Sequence, residues 1–128
     1  MDIKALIKEE VLGQKAYAVD PASCRIKLDA NENPLAIPAG LRERFAARLA
    51  GVELNRYPEA GSPALTARFG AAFGVGADQV MIGNGSDELI QILCTALARP
   101  GAGMMIPVPT FAMYRITGVN TGLGVQEV

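Results

Sequence analysis

The stretch VMIGNGSDELI, residues 80–90, decides the fold of this 128-residue chain. A short apolar run at residues 80–82 leads into a glycine-rich turn, and apolar residues at helical spacing follow. Short apolar runs between turn residues are typical of buried strands, and apolar residues three or four positions apart are typical of amphipathic helices. The stretch therefore predicts a strand, a glycine turn and a helix over residues 86–98.

Two more strand patterns follow, with a helix between them. Residues 103–108 and 123–128 have strand patterns, and residues 110–119 have a helical pattern. The order from residue 80 is therefore β-α-β-α-β, which forms parallel strands with right-handed crossovers. Because parallel sheets are covered on both faces, either earlier helices cover the second face or the sheet continues in residues that this chain lacks.

Two helices are predicted before the first of these strands. Pro38 suits the first turn of a helix over residues 38–49. Ser62 and Pro63 predict the cap and the first position of a helix over residues 62–73. We expect its buried face to be formed by Leu65, Phe69 and Phe73.

The first 37 residues have a different pattern. Apolar residues with charges between them predict a short amphipathic helix over residues 2–12, ended by Gly13. Residues 14–37 predict an extended arm, with a strand pattern only at residues 25–28. We therefore expect an α/β chain made of an N-terminal helix and arm, residues 1–37, and the first β-α-β units of a mostly parallel, incomplete large domain, residues 38–128.

Composition argues against several classes of function. The 12 basic and 13 acidic residues give a net charge of −1 without a basic run, which argues against a nucleic-acid partner. No apolar stretch approaches the ~20 residues that cross a bilayer, and the N-terminus lacks a signal-peptide core. Histidine is absent, so the chain cannot form a Ser–His or Cys–His nucleophile pair. Cys24 and Cys94 lack a partner motif, which favours reduced thiols in a cytosolic protein over a disulfide or a metal site.

The glycine turn has the chemistry of an anion site. Helix N-termini expose unpaired N–H groups and carry roughly half a positive charge. Glycines let the backbone approach an anion, and the hydroxyl of Ser86 adds a donor. Open α/β sheets also bind ligands at the carboxyl ends of their strands. The alternative is a plain strand-to-helix turn in which Ser86 or Asp87 caps the helix.

Four motifs occur in a fixed order: KLDANENP at residues 27–34, NRYPE at 55–59, GNGSDELI at 83–90 and PVPTFAMY at 107–114. Asn-Glu-Asn-Pro and Pro-Thr-Phe elements recur across related aminotransferases, and the combination with Arg-Tyr-Pro and Gly-Ser-Asp-Glu is much more specific. Together the motifs closely resemble the histidinol-phosphate aminotransferases, which are fold-type I pyridoxal-phosphate enzymes. The resemblance runs from about Tyr17 to the last residue and implies a pyridoxal 5'-phosphate cofactor.

The resemblance implies that five residues contact the cofactor. The backbone N–H groups of Ser86 and Asp87 would hold the phosphate, with Gly85 giving clearance. Phe111 would lie over the pyridine ring, and the hydroxyl of Tyr57 would reach the cofactor phosphate of the neighbouring subunit. The simpler explanation is that Phe111 is a core residue and Tyr57 packs within its loop.

The resemblance also implies that Tyr17 and Asn33 line the substrate pocket, although Asn33 before a proline is equally typical of a turn. Members of the family carry, further along their chains, a lysine that forms a Schiff base with the cofactor and an aspartate on the pyridine nitrogen. Neither motif occurs here, and the four lysines match no catalytic position: Lys4, Lys8, Lys15 and Lys27. We therefore expect the N-terminal part of an enzyme, inactive on its own.

Three hypotheses for function follow. In the first, the chain is part of a cytoplasmic homodimer that transfers an amino group between L-glutamate and imidazole-acetol phosphate in histidine biosynthesis. A variant is a related enzyme, such as a threonine-phosphate decarboxylase or an aromatic aminotransferase. In the second, the chain is a stand-alone, non-catalytic protein that binds a phosphate ligand or a partner. In the third, it is a proteolytic remnant of the enzyme.

Overall fold

The structure is a computed structural model that describes residues 2–18, 23 and 25–128. The parts of the predicted arm at residues 19–22 and at Cys24 lie outside the described residues. The chain forms two compact units, one made of residues 1–18 with 61–128 and the other of residues 19–60. The first unit contains the glycine turn and both strands, and the second contains one helix.

The helices and strands lie close to their predicted positions after residue 37. In chain order they are α1 (Glu9–Leu12), α2 (Ala39–Leu49), α3 (Pro63–Phe73), α4 (Gly85–Leu97), β1 (Gly103–Ile106), α5 (Met113–Thr121) and β2 (Gly124–Glu127). Short 3-10 turns at Ile3–Leu6 and Ala77–Gln79 precede α1 and α4. The predicted helices at 38–49, 62–73, 86–98 and 110–119 and the strands at 103–108 and 123–128 are therefore confirmed.

β1 and β2 form a parallel pair joined by α5. Their register pairs Gly103 with Gly124 and Ile106 with Glu127. The pairing extends past both strands, because the N–H of Val108 donates to the carbonyl oxygen of Val128 at 2.8 Å. α5 packs on both strands and on α4. The fold class is therefore α/β, with a helical crossover between parallel strands.

The core of the first unit lies where α4 meets the end of α5. Ile90, Cys94 and Leu123 form its buried centre. Partly buried residues pack around this centre: Ala98, Ala102, Met104 and Tyr114. α5 approaches β2 closely at Gly118, since a Cβ there would lie 2.8 Å from Cγ2 of Val125. A larger residue at position 118 would push the helix away from the strand.

The start of α3 differs from its prediction. Ser62 does precede the helix and Pro63 is its first residue, but the hydroxyl of Ser62 makes no capping hydrogen bond. Capping side chains favour extended backbone, whereas Ser62 has a left-handed φ of 48°. The carbonyl oxygen of Ser62 instead accepts the N–H of Thr66 at 3.0 Å.

The predicted buried face of α3 is wrong. Phe73 is 74% exposed, and Leu65 and Phe69 are exposed as well, whereas Thr66 and Gly70 are buried. α3 packs on the 3-10 turn that follows it. The backbone of that turn passes so close to Gly70 that a Cβ would lie 2.7 Å from the carbonyl oxygen of residue 75. Backbone packing therefore buries the small side of the helix and leaves its aromatic side uncovered in this unit.

The continuous helix predicted over residues 2–12 is also wrong. Ile7 and Lys8 have extended backbone, with ψ of 137° and 136°, and they separate the first 3-10 turn from α1. Helices this short are marginal in water without packing. Ile3 and Leu6 are exposed and provide no packing for such a helix. The amphipathic pattern therefore does not form one continuous helix.

Two predicted strands do not form within the described residues. Residues 25–28 contain a bend instead of a strand. Val80 has extended backbone, with φ −117° and ψ 126°, but residues 80–82 make no ladder pairing with any described residue. A strand exists only through hydrogen bonds to a neighbour. The apolar run at residues 80–82 therefore predicts the extended backbone but does not provide a neighbouring strand to pair with.

Within the described ranges, no helix is long and apolar enough to span a membrane. Across the same residues, no group of three or more His, Cys, Asp or Glu side chains is placed to hold a metal ion.

Candidate functional site

Two glycines shape the start of α4 for different physical reasons. Gly85 has a φ of 77°, a left-handed conformation that residues with a side chain rarely adopt. Gly83 lies against the first turn of the helix, where a Cβ would be 3.0 Å from Oε2 of Glu88 and 3.0 Å from Cδ2 of Leu89. The carboxylate of Glu88 also accepts the backbone N–H of Asn84. Glu88 thus holds the turn in shape from inside the helix.

Ser86 and Asp87 lie inside the first turn of α4, so neither is the capping residue that the simpler explanation required. Within the part of the chain that the structure describes, their backbone N–H groups donate to no acceptor. Both residues are exposed. α4 is 13 residues long, which suffices for a partial positive charge at its start. The two N–H groups are therefore free to donate to an anion, as the sequence pattern predicts.

Negative side chains in the same turn oppose an anion. Asp87 and Glu88 are both in the first turn of α4. Like charges about 4 Å apart repel by roughly 1 kcal/mol in water, whereas a hydrogen bond to a charged oxygen contributes about 1.5–3 kcal/mol. Because both side chains are exposed, the repulsion stays at its screened value. Two N–H bonds contribute about 3–6 kcal/mol, against about 2–4 kcal/mol of repulsion between two carboxylates and an anion of one or two charges.

Phe111 lies between two tyrosines in the segment before α5. Its ring centroid is 5.6 Å from that of Tyr17 at an interplanar angle of 86°, and 6.3 Å from that of Tyr114 at 88°. Both contacts are edge-to-face, an arrangement that aromatic pairs prefer. No other described ring stacks parallel to Phe111, and its side chain is 37% exposed. Phe111 is therefore not simply a core residue, and a flat ring can still stack on it.

The order of the elements predicts where the free N–H groups and Phe111 lie relative to the parallel pair. α4 ends at Leu97 and residues 98–102 lead to β1, and a helix that leads into a parallel strand runs antiparallel to it, so we expect the start of α4 near the carboxyl edge. At about 1.5 Å per residue, α4 covers roughly 20 Å, more than the length of the strand. Phe111 follows the carboxyl end of β1. This is the edge at which open α/β sheets bind ligands.

Tyr57 and Asn33 belong to the second unit and are described within it. Tyr57 is 100% exposed, which contradicts the explanation that it packs within its loop. Oδ1 of Asn33 accepts the N–H of Leu35 at 3.0 Å, as in a side-chain-mediated turn. That bond uses the acceptor of the amide group, and its two N–H donors have no acceptor among the described residues. The structure thus brings Tyr17 and Phe111 together in one unit and places the other two residues in the second.

Lys27 is held as a charged side chain. Its Nζ lies 3.5 Å from Asp29 and 3.4 Å from Glu32. Partial desolvation lowers the pKa of Lys27 and the two carboxylates raise it, and the net pKa lies above its usual value. A nucleophilic lysine requires a lowered pKa. Lys27 is therefore unsuited to attack a carbonyl group, as its mismatch with the catalytic position also indicates.

Two residues with long-range or turn-shaping contacts were not singled out from the sequence: Glu88 and Asn120. Glu88 had a signal, because an acidic residue four positions after Asn84 in a first turn is close to the spacing of a capping box. Asn120 had none. Its contacts are to Lys8 and Gln14, more than 100 positions earlier in the chain.

An α/β chain with free N–H groups at a helix start, and an exposed aromatic ring after a parallel strand, has features expected of an enzyme that binds a phosphorylated cofactor. The sequence pattern of the aminotransferase class I and II family matches residues 25–128, and the chain belongs to this family.

Curated relatives agree with this assignment. The chain is 46% identical over 122 residues to histidinol-phosphate aminotransferase 2 of Cupriavidus pinatubonensis, covering 94% of this chain and 33% of that protein. It is 44% identical over 124 residues to histidinol-phosphate aminotransferase of Chromobacterium violaceum, covering 96% and 35%. A third relative, histidinol-phosphate aminotransferase 2 of Burkholderia pseudomallei, is 47% identical over 113 residues, covering 88% and 32%. The chain spans about a third of the length of the curated relatives it matches.

Membership of this family implies pyridoxal phosphate as the cofactor of the whole enzyme. The residues present fit that group in two respects. The N–H groups of Ser86 and Asp87 lack an acceptor among the described residues, as a phosphate site requires. Phe111 has no parallel ring on it in the same part of the chain, as a stacking site for a pyridine requires.

Proposed function

We propose that the full-length protein carrying this sequence is a pyridoxal-phosphate-dependent aminotransferase. Its reaction transfers an amino group between L-glutamate and imidazole-acetol phosphate in histidine biosynthesis. The observation that carries this proposal is the pair of free N–H groups at Ser86 and Asp87, in a chain that is 46% identical to a histidinol-phosphate aminotransferase over almost its whole length.

Ser86 and Asp87 bind the cofactor phosphate through their backbone N–H groups. The left-handed turn at Gly85 leaves space around the site, since a Cβ at that position would meet no atom within 4 Å. Glu88 keeps the turn in this shape by accepting the N–H of Asn84. The cofactor, when bound, supplies an electron sink for the negative charge that develops at the substrate α-carbon.

Phe111 and Tyr17 form the aromatic side of the site. Phe111 stacks on the flat cofactor ring and keeps water from that face. Tyr17, which is 49% exposed, meets Phe111 edge-on and keeps enough free surface to line the substrate pocket. The two residues therefore connect cofactor binding to substrate binding through one contact.

Tyr57 and Asn33 are the two predicted site residues of the second unit. The full exposure of Tyr57 supports a role outside its own unit, and we assign its hydroxyl to the cofactor phosphate of a neighbouring subunit in a cytoplasmic homodimer. The free N–H donors of Asn33 suit a carboxylate or phosphate oxygen of the substrate. Residues 38–128 would then begin the large cofactor-binding domain, with residues 1–37 as its arm.

None of the four lysines of this chain suits the proton transfer at the α-carbon. Lys27 is paired with two carboxylates, and Lys8 is used in a contact with α5. We therefore assign that step to a lysine outside these 128 residues and predict that the isolated chain is inactive.

The test is an amino-transfer assay on the full-length natural protein. With pyridoxal phosphate and L-glutamate, we expect 2-oxoglutarate to form at a rate that depends on imidazole-acetol phosphate. Turnover with an aromatic 2-oxo acid instead, or carbon dioxide release from L-threonine phosphate, would replace the substrate assignment and keep the cofactor. Absence of pyridoxal-phosphate binding would overturn the proposal.

A further inference from the structure

Among the described residues, the N-terminal segment makes two side-chain hydrogen bonds to α5, both at Asn120. Nζ of Lys8 donates to the carbonyl oxygen of Asn120 at 3.3 Å. Nε2 of Gln14 donates to Oδ1 of the same residue at 3.0 Å. α1 also packs on α5. The backbone carbonyl of Asn120 therefore holds Lys8, and its side chain holds Gln14.

The carbonyl of Asn120 suits a cation for a physical reason. The last four carbonyl groups of a helix lack an intrahelical partner and carry partial negative charge. In α5, the carbonyl of Gly118 accepts the N–H of Leu123 at 2.9 Å, and the carbonyl of Val119 accepts the N–H of Gly122 at 3.0 Å. The carbonyls of Asn120 and Thr121 accept no backbone N–H group from the described residues, and the ammonium group of Lys8 binds that of Asn120.

The segment continues from Gln14 to the aromatic contact at Tyr17. Asn120 is in the last turn of α5 and Phe111 precedes its first turn, so the two positions are roughly 13 Å apart along the helix axis. Three residues of extended chain span at most ~10–11 Å. The backbone from Gln14 to Tyr17 is therefore shorter than the separation of the two contacts on α5, and the side chains of Gln14 and Tyr17 span the rest. Holding Gln14 at Asn120 thus limits the positions that the ring of Tyr17 can reach.

We propose that Asn120 is a positioning residue of the active site. By holding Gln14 and Lys8, it fixes the N-terminal segment along α5 and sets Tyr17 edge-on against Phe111. The proposal rests on the proposed function, in which Phe111 faces the cofactor and Tyr17 lines the substrate pocket. Asn120 itself touches neither.

The test compares Asn120→Ala with two matched variants in the full-length protein. Asn120→Asp keeps an oxygen that can accept the N–H of Gln14. Thr121→Ala is the neighbouring control, because the hydroxyl of Thr121 donates only to carbonyl groups within α5. Hydrogen–deuterium exchange of residues 8–18 reports docking of the segment, and kcat and KM for the phosphorylated substrate report its consequence.

We expect Asn120→Ala to speed exchange in residues 8–18 by roughly threefold to tenfold, as loss of one ordinary hydrogen bond implies. KM should rise by a similar factor with kcat unchanged. Asn120→Asp should have an exchange rate and a KM close to those of the wild type, and Thr121→Ala should match the wild type in both. In a Tyr17→Ala background, Asn120→Ala should change KM no further, because its effect passes through Tyr17.

Two results would overturn the inference. One is unchanged exchange of the segment in Asn120→Ala. The other is a rise in KM that persists in the Tyr17→Ala background, since the effect would then bypass the proposed contact. A wild-type protein that transfers no amino group would refute the proposed function separately, and with it any role of Asn120 in that reaction, while the exchange experiment would still decide whether Asn120 holds the segment.

Discussion

The ring of Tyr17 meets the ring of Phe111 edge-on, with centroids 5.6 Å apart and an interplanar angle of 86°. The contact joins the N-terminal segment to the residue that introduces α5. It also joins two residues for which the sequence predicted different roles, one towards the substrate and one towards the cofactor. A substitution of either ring should therefore change the contribution of the other to stability.

Removing either ring should cost stability, and removing both should cost less than the sum. Edge-to-face pairs contribute about 0.5–1.5 kcal/mol beyond the area they bury, and Tyr17→Ala and Phe111→Ala share that loss. A double-mutant cycle by urea unfolding of the full-length protein measures the coupling. Tyr17→Phe, which keeps the ring, should behave as wild type. Fully additive losses would show that the two rings do not interact.

Ser86→Pro should weaken pyridoxal-phosphate binding by removing one N–H donor. Proline is tolerated in the first turn of a helix, so the helix should remain. Losing a bond to a charged oxygen costs about 1.5–3 kcal/mol, which corresponds to roughly a 10- to 150-fold loss of affinity. Ser86→Ala keeps the N–H and is the control. Pyridoxal, which lacks the phosphate, should bind both variants equally, and an equal loss for both ligands would refute the phosphate assignment.

Alanine at Gly85 and at Gly83 should destabilise the protein for different reasons. Gly85→Ala should cost about 1–2 kcal/mol through its left-handed backbone alone, since a Cβ there meets no atom within 4 Å. Gly83→Ala should displace Glu88, whose Oε2 would lie 3.0 Å from the new Cβ. Glu88→Ala should therefore relieve part of the cost at Gly83 and none at Gly85. Equal relief at both positions, measured by urea unfolding, would contradict this distinction.

Cys94 should be inert in the native protein. It is 5% exposed, and burial raises the pKa of its thiol. Because the thiolate is the reactive form, alkylation of the Cys94 peptide by iodoacetamide at pH 7 should be at least about tenfold slower than in denaturant, as followed by mass spectrometry. The neutral thiol is favoured in the fold, so its contribution to stability is complete below the unfolded pKa near 9.0 and is lost as pH rises through the higher folded value. Equal native and denatured rates would show that the thiol is accessible.

The chain after residue 60 could be largely predicted because its elements carry their own signals. Periodicity located α4 and α5, and Gly74 ended α3 in a left-handed conformation, as a glycine stop should. What covers an apolar side chain is not a local property. Phe73 has the pattern of a buried residue and is exposed, and residues 80–82 have the pattern of a strand without a described neighbour.

One part of the candidate site, the helix start with its free N–H groups, could be predicted from the sequence. The free N–H groups of Ser86 and Asp87 follow from helix geometry, which any sequence with a clear helix start reveals. The contacts of Asn120 and of Phe111 with the N-terminal segment join residues far apart along the chain. A single sequence contains no local pattern that specifies such pairs.

The anchor of Lys8 on Asn120 also fixes an order of events during synthesis. The two residues are 112 positions apart, and ribosomes add about 5–20 residues per second, so roughly 6–22 s separate the appearance of one from that of the other. Throughout that interval the segment emerges without the helix it will bind. The residues of the segment are therefore made well before the contact that holds them in place can form.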